Sequence, residues 1–170
     1  MRSTIRMAKG LGLLTALALP ISSGMAEDDH AEKALPKPTI VSSHTDASRL
    51  ETVQGITLQW IDWDTRGDVT IINSVDGVWR LLGEQKSGQD VGLVIDGVIT
   101  EIGADYFLFD GQITIANTPD PGRRCSQDKL WRFEVTQNRT YYRLREFEWC
   151  DYLTDYIDIY FAPSLAGKGE

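Results

Sequence analysis

The stretch YFLFDGQITI, residues 106–115, sets Phe107, Phe109, Ile113 and Ile115 on one side of an extended chain and Tyr106, Leu108, Asp110, Gln112 and Thr114 on the other. A period of two over this length is the pattern of a strand with one buried and one wet face. Gly111 stands in the apolar row, where a bend or a crowded neighbour requires it.

Neighbouring segments repeat the pattern. GLVIDGVITEI (92–102) precedes it across the short turn Gly103-Ala104-Asp105. Further on, Trp131, Phe133 and Val135 alternate with Arg132 and Glu134 in LWRFEV (130–135), which turns through Gln137-Asn138-Arg139 into YYRLREFEW (141–149). Upstream, ITLQWI (56–61), DVTII (68–72) and GVWRLLGEQ (77–85) supply three more strands, with residues 64–67 turning between the first two. In YIDIYF (156–161), Ile157, Ile159 and Phe161 point inward and Tyr156, Asp158 and Tyr160 outward, while Asp155 joins the inward row at the strand's mouth. No window beyond the first 26 residues sustains a helical period over about twelve positions. The expected class is therefore all-β, a single antiparallel barrel or sandwich of about eight short strands.

Residues 1–26 read as a secretory signal peptide: Arg2, Arg6 and Lys9 are followed by an apolar run and by Gly24-Met25-Ala26 as the cleavage site. That run is shorter than the roughly 20 apolar residues a bilayer requires, so no membrane insertion is expected. The sequence predicts a flexible leader over 27–53, the β domain over 54–163 and a flexible tail over 164–170. A periplasmic or secreted location follows. The chain has two cysteines, and in an oxidising compartment Cys125 and Cys150 are expected to pair. Such a loop of about 26 residues is worth roughly 3.5 kcal/mol on the chain-entropy account.

The whole chain carries 17 basic against 25 acidic residues, and three of the basic ones leave with the signal. A polypeptide this acidic repels nucleic acid, which is excluded as a partner. Catalytic machinery is sparse. The only histidines, His30 and His44, fall in the expected leader, which removes triad mechanisms and the usual zinc sites from the domain. Phosphate-binding loops, dinucleotide fingerprints and nucleophile elbows are missing. Asp62, Asp64 and Gly67 match part of a calcium loop, but Arg66 and Asn73 occupy ligand positions, so a turn is expected there and no metal. No cofactor is expected either.

One asymmetry stands out. Arg123, Arg124, Lys129, Arg132, Arg139, Arg143 and Arg145 lie in one stretch with only Asp128 and Glu134 opposing them, and residues 146–158 then hold five acids and no base. Two accounts fit. The charges pair across strands, or Arg143 and Arg145 grip an anionic small molecule or protein partner while Tyr141 and Trp131 offer stacking surfaces. The second makes the chain an exported, non-catalytic binding or accessory protein. The alternative class is a carboxylate-dependent hydrolase or lyase acting on an exported glycan or ester, with Asp158 and Tyr160 as its working groups.

Gly77-Val78-Trp79 and Thr154-Asp155-Tyr156 resemble the Gly-x-Trp and Thr-Asp-Tyr signatures of lipocalins. That resemblance implies an up-and-down barrel enclosing a small apolar ligand, with Trp79 closing its base. The chain departs from the family pattern in having no arginine after Asp155 to pack over the tryptophan. It is also similar to small uncharacterised exported β-proteins of proteobacteria.

Overall fold

The computed structural model describes residues 35–167. The expected signal peptide, the first part of the expected leader and the last three residues of the expected tail lie outside the described residues.

The alternation rule holds in space. β1 (Ile40–Val41) and α1 (His44–Glu51) lead into β2 (Gly55–Leu58), β3 (Asp68–Asn73), β4 (Trp79–Lys86), β5 (Gly92–Gly103), β6 (Tyr106–Ala116), β7 (Arg124–Glu134), β8 (Tyr141–Leu144) and β9 (Ile157–Tyr160). Hydrogen-bonded neighbours run in the order β2-β9-β8-β7-β6-β5-β4-β3. Ile56 and Gly67 then exchange backbone hydrogen bonds of 3.1 and 2.8 Å, bringing the start of β3 back to β2. Eight antiparallel strands thus form a nearly closed up-and-down barrel, which decides between barrel and sandwich.

The inward rows fill the barrel with rings. Phe107 stacks on Phe133 at 5.0 Å between centroids, and Tyr142 meets Phe107 edge-on at 5.1 Å. Gly111 pairs with Gly97 across β5 and β6. A Cβ on either would come within 2.7 Å of the Phe109 ring, so the glycine in the apolar row is there to let that ring lie against the sheet. Turns follow their residues: Gln137 and Asn138 take φ of 58° and 56° between β7 and β8, and Arg139 N donates to Thr136 O. The Thr118–Pro119 peptide is cis.

The region expected as a leader is built into the domain from residue 39 onward. Thr39 Oγ1 accepts from Trp79 N at 2.9 Å and donates to Ile99 O, where β5 carries a bulge, and β1 pairs in parallel just beyond it. Ser43 caps α1 by accepting from Asp46 N. Asp46 is buried and accepts from Ser43, Arg49, Tyr142 and the Asp105 backbone, and Arg49 also reaches Asp105 at 2.6 Å. Burial and Asp46 push the Tyr142 phenol upward, which keeps its proton on that bond. α1 has eight residues, too few for a periodicity test over twelve, and its buried face includes a carboxylate and a guanidinium that pattern reading assigns to solvent. His44 opens this helix instead of lying in a loose segment. At the other terminus, residues 163–165 form a 3₁₀ turn whose Leu165 carbonyl accepts from Arg49 Nε, so the expected tail begins inside the fold.

Candidate functional site

Three short strands carry the candidate face. Their outward residues are Thr57 on β2, Asp158 and Tyr160 on β9, and Tyr141 and Arg143 on β8, with Thr57, Asp158 and Arg143 aligned in register. Asp158 has no exposed surface, although it points away from the barrel interior. Arg143 Nε and Nη2 donate to its two oxygens at 2.7 and 2.6 Å. Burial pushes the Asp158 carboxyl up, and the guanidinium only partly offsets that.

Aromatic rings surround this pair. The Arg143 guanidinium lies 4.2 Å from the Tyr156 ring centroid, 5.2 Å from Tyr141 and 5.8 Å from Trp63. Tyr141 and Tyr160 are 5.2 Å apart, Arg66 covers Tyr160 at 3.9 Å, and Arg139 stands 5.5 Å from Tyr141. Phe147 extends the row, meeting Tyr156 edge-on at 5.2 Å with Arg145 over its own ring. Gly55, at φ 126°, makes the Arg66 crossing possible, since a Cβ there would sit 2.6 Å from that of Arg66. The result is a half-buried plane of alternating rings and guanidinium groups, with Trp63 42% exposed at its rim.

Tyr141 and Arg143 share this plane, and Arg145 stands at its edge, 4.0 Å from Glu134. Trp131 does not. It is 1% exposed, turned into the barrel against Trp149, and donates Nε1 to Gly111 O at 2.8 Å. Its place in the Trp131-Phe133-Val135 inward row is the reason, so the expected stacking surface is a core residue. Among the seven basic residues of the stretch, Arg123, Lys129, Arg132, Arg143 and Arg145 reach carboxylates. Arg139 has no carboxylate partner among the described residues, and neither does Arg66. Ion pairing within the fold thus accounts for most of the asymmetry, although of these pairs only Arg143–Asp158 joins one strand to another, and Arg66 and Arg139 are the cations left over on this face.

A second cluster lies at the barrel's mouth. Arg123 donates to both oxygens of Asp151 at 2.8 Å, to Asp155 at 3.0 and 2.8 Å, and to Thr118 O. Trp60 Nε1 adds a bond to Asp155 at 2.9 Å. Arg123 holds the Asp151 carboxyl below its ordinary range. Strand parity keeps Asp151, Asp155 and Asp158 off one face, yet Asp151 and Asp155 do converge, on a guanidinium contributed by a distant loop. Short-range sequence carries no signal of that. The expected Cys125–Cys150 disulfide is present, with 5.8 Å between Cα atoms. Asp151 lies near both sulfurs, but sulfurs joined to each other are not thiolate ligands.

The PM1083 family profile matches residues 38–161. The chain belongs to this family. Within it, the chain is similar to a Pasteurella multocida (strain Pm70) protein described as "Uncharacterized protein PM1083", with 38% identity over 107 residues, covering 61% of this chain and 68% of that one. No solved structure matches. The family match takes in β1, α1 and all eight barrel strands, so the helix-capped barrel is the unit of resemblance. Among the described residues, no helix is long and apolar enough to cross a membrane.

Proposed function

We propose that this chain is an exported, non-catalytic binding protein that holds an anionic ligand, a carboxylated or phosphorylated sugar, against the outer face of β8, β9 and β2. The observation that carries this is the pair Arg66 and Arg139, which flank the Tyr160 and Tyr141 rings without a carboxylate partner among the described residues. On a protein of formal charge −8, two guanidinium groups outside any ion pair among the described residues are a local exception that favours negative ligands. Tyrosine and tryptophan faces suit the C–H planes of a sugar ring, and guanidinium groups suit its carboxylate or phosphate. The outer face is favoured over the interior because Phe107, Phe109, Trp131, Phe133 and Tyr142 fill the barrel. Asp158 does not favour hydrolase chemistry, since both its oxygens are engaged by Arg143 and no solvent reaches it. Export rests on the signal-like first 26 residues together with the disulfide.

The test is retention of the chain on immobilised polygalacturonate and on a phosphorylated mannan at two salt concentrations. Retention should fall with salt, and Arg66→Ala with Arg139→Ala should weaken it at least fivefold while the melting temperature falls by only a few degrees. Equal retention by parent and double variant overturns the proposal.

A further inference from the structure

β7 is paired unequally along its two edges. Toward β6 it is bonded from Arg124 to Glu134, whereas toward β8 the ladder holds only Phe133 with Leu144 and Glu134 with Arg143. Beyond Leu144 the chain continues along the same edge as a strap, residues 145–150. Arg145 N donates to Arg132 O at 2.9 Å, and from there the ties to β7 come from side chains, while on its other side the strap's Phe147 O accepts from Asp155 N at 2.8 Å. Lys129 Nζ pairs with Glu146 at 2.5 Å, Gln127 Nε2 donates to Trp149 O at 2.9 Å, and Cys125 is bonded to Cys150. The strap lays Trp149 edge-on against Trp131 at 5.2 Å, but Trp149 Nε1 is buried with no hydrogen-bond partner. An orphaned N–H offsets part of what burying the ring contributes, and water would satisfy it if the strap lifted.

Both ends of this segment are anchored independently of the disulfide. Leu144 belongs to β8, and Asp151 and Asp155 are held by Arg123. The strap also carries Arg145 and Phe147, and Phe147 supports Tyr156, the ring lying under Arg143. Cys150 is exposed, whereas Cys125 is buried at 2%. We infer that the Cys125–Cys150 disulfide is a reducible latch: it fixes the strap, and through Arg145, Phe147 and Tyr156 it sets one half of the binding face, leaving unaffected the half around Tyr141 and Tyr160, which pair with each other across β8 and β9, and the loop residues Arg66 and Arg139 that lie over their rings. The gating of ligand rests on the function proposed above; the latch itself does not.

The exchange needs an external dithiol. One of its thiolates attacks the Sγ of Cys150, the more accessible of the two cysteines, a mixed disulfide forms, and Cys125 leaves as a thiolate that takes a proton. The second thiol of the reagent then displaces Cys150. The reagent ends oxidised to a disulfide, and the protein has gained two electrons and two protons.

The experiment compares the oxidised full chain with the same chain in dithiothreitol and with Cys125→Ser plus Cys150→Ser. Hydrogen exchange is followed in peptides covering residues 145–153 and 106–116, alongside polygalacturonate affinity. The expected result is at least tenfold faster exchange in 145–153 with 106–116 unchanged, and affinity lowered about three- to tenfold. Unchanged exchange in 145–153, or loss of protection in 106–116 as well, overturns the latch and leaves the disulfide a plain staple. If the serine variant fails to fold, in-place reduction of the folded parent gives the same readout. An opened strap with equal affinity in both states overturns the gating. An opened strap with no polygalacturonate binding in either state supports the latch and sinks the proposed function.

Discussion

The barrel has two unlike halves. From β4 to β7 the strands are 8 to 12 residues long and paired along most of their lengths, with inward side chains that are nearly all apolar. From β8 through β9 to β2 each strand has four residues, and the gaps are bridged by a disulfide, ion pairs and side-chain bonds to carbonyls. In the first half long backbone ladders fix the geometry; in the second, ladders of three or four residues are supplemented by side-chain ties. The difference teaches where the surface carries rings and charges: beside short ladders, loop and strap side chains such as Trp63, Arg66, Arg139 and Phe147 reach the outward rings of the strands, whereas the long ladders of β4 to β7 do without such loops.

The largest expected effect comes from cutting the side-chain connections. Arg123→Met leaves Asp155 buried without its guanidinium, which should cost about 3–5 kcal/mol, read as a fall in the urea midpoint. A cost below about 1 kcal/mol would mean that the mouth cluster connects nothing. In the laddered half the weak point is steric. A Cβ at Gly97 would stand 2.4 Å from Asp110 O and 2.7 Å from the Phe109 ring, so Gly97→Ala should cost about 1–3 kcal/mol by overpacking. Phe109→Leu in the same background should restore part of it, because the shorter side chain vacates the space above the glycine pair.

The same division decides what was legible in the sequence. The YFLFDGQITI pattern identified β6, its neighbours and the all-β class because long ladders impose a strict alternation that composition records. The apolar pattern carries β8 through Trp149 and β2 through Ile61, yet the structure ends them at Leu144 and Leu58. Those residues continue as strap and loop, and a strap lying along a strand edge keeps apolar residues without keeping the ladder. β7 began at Leu130 in the sequence and at Arg124 in the structure, since Ser126, Gln127, Asp128 and Lys129 offer no apolar row to see. Outward placement of Tyr141, Arg143, Asp158 and Tyr160 was legible from parity. The contribution of Trp63 and Arg66 was not, because a loop's return path depends on long-range contacts such as Arg66 on Tyr160.

Acidity separates two aspartates. Asp151, held below its ordinary range by Arg123, contributes stability that is present above about pH 4 and lost as pH falls through its folded value. Asp158 has the opposite sign. Its folded carboxyl sits above the unfolded one, so the native state holds that proton more tightly and stability declines as pH rises from about 4 through the raised value. Unfolding free energies between pH 3 and 6 should therefore show Asp151→Asn flattening the acid-side loss and Asp158→Asn removing the opposing decline. Identical profiles for the two variants would erase the distinction between a mouth pair and a face pair.

The smallest effect on stability is expected where the effect on function should be greatest. Arg66 is exposed and Arg139 half-buried, and each touches a ring without entering an ion pair among the described residues. Replacing both by alanine removes two weak cation–π contacts, each about 0.5–1 kcal/mol at an exposed site, and relieves neither strain nor a buried charge. The unfolding free energy should fall by about 1–2 kcal/mol at most, against the 3–5 kcal/mol of Arg123→Met. Arg143→Ala makes the control within the face. It leaves Asp158 without its partner and should resemble the mouth variant in stability, so any loss of ligand in it is confounded with local unfolding. A double variant that keeps its stability and loses the polyanion separates presentation from connection; one that unfolds shows these two arginines to be connectors as well.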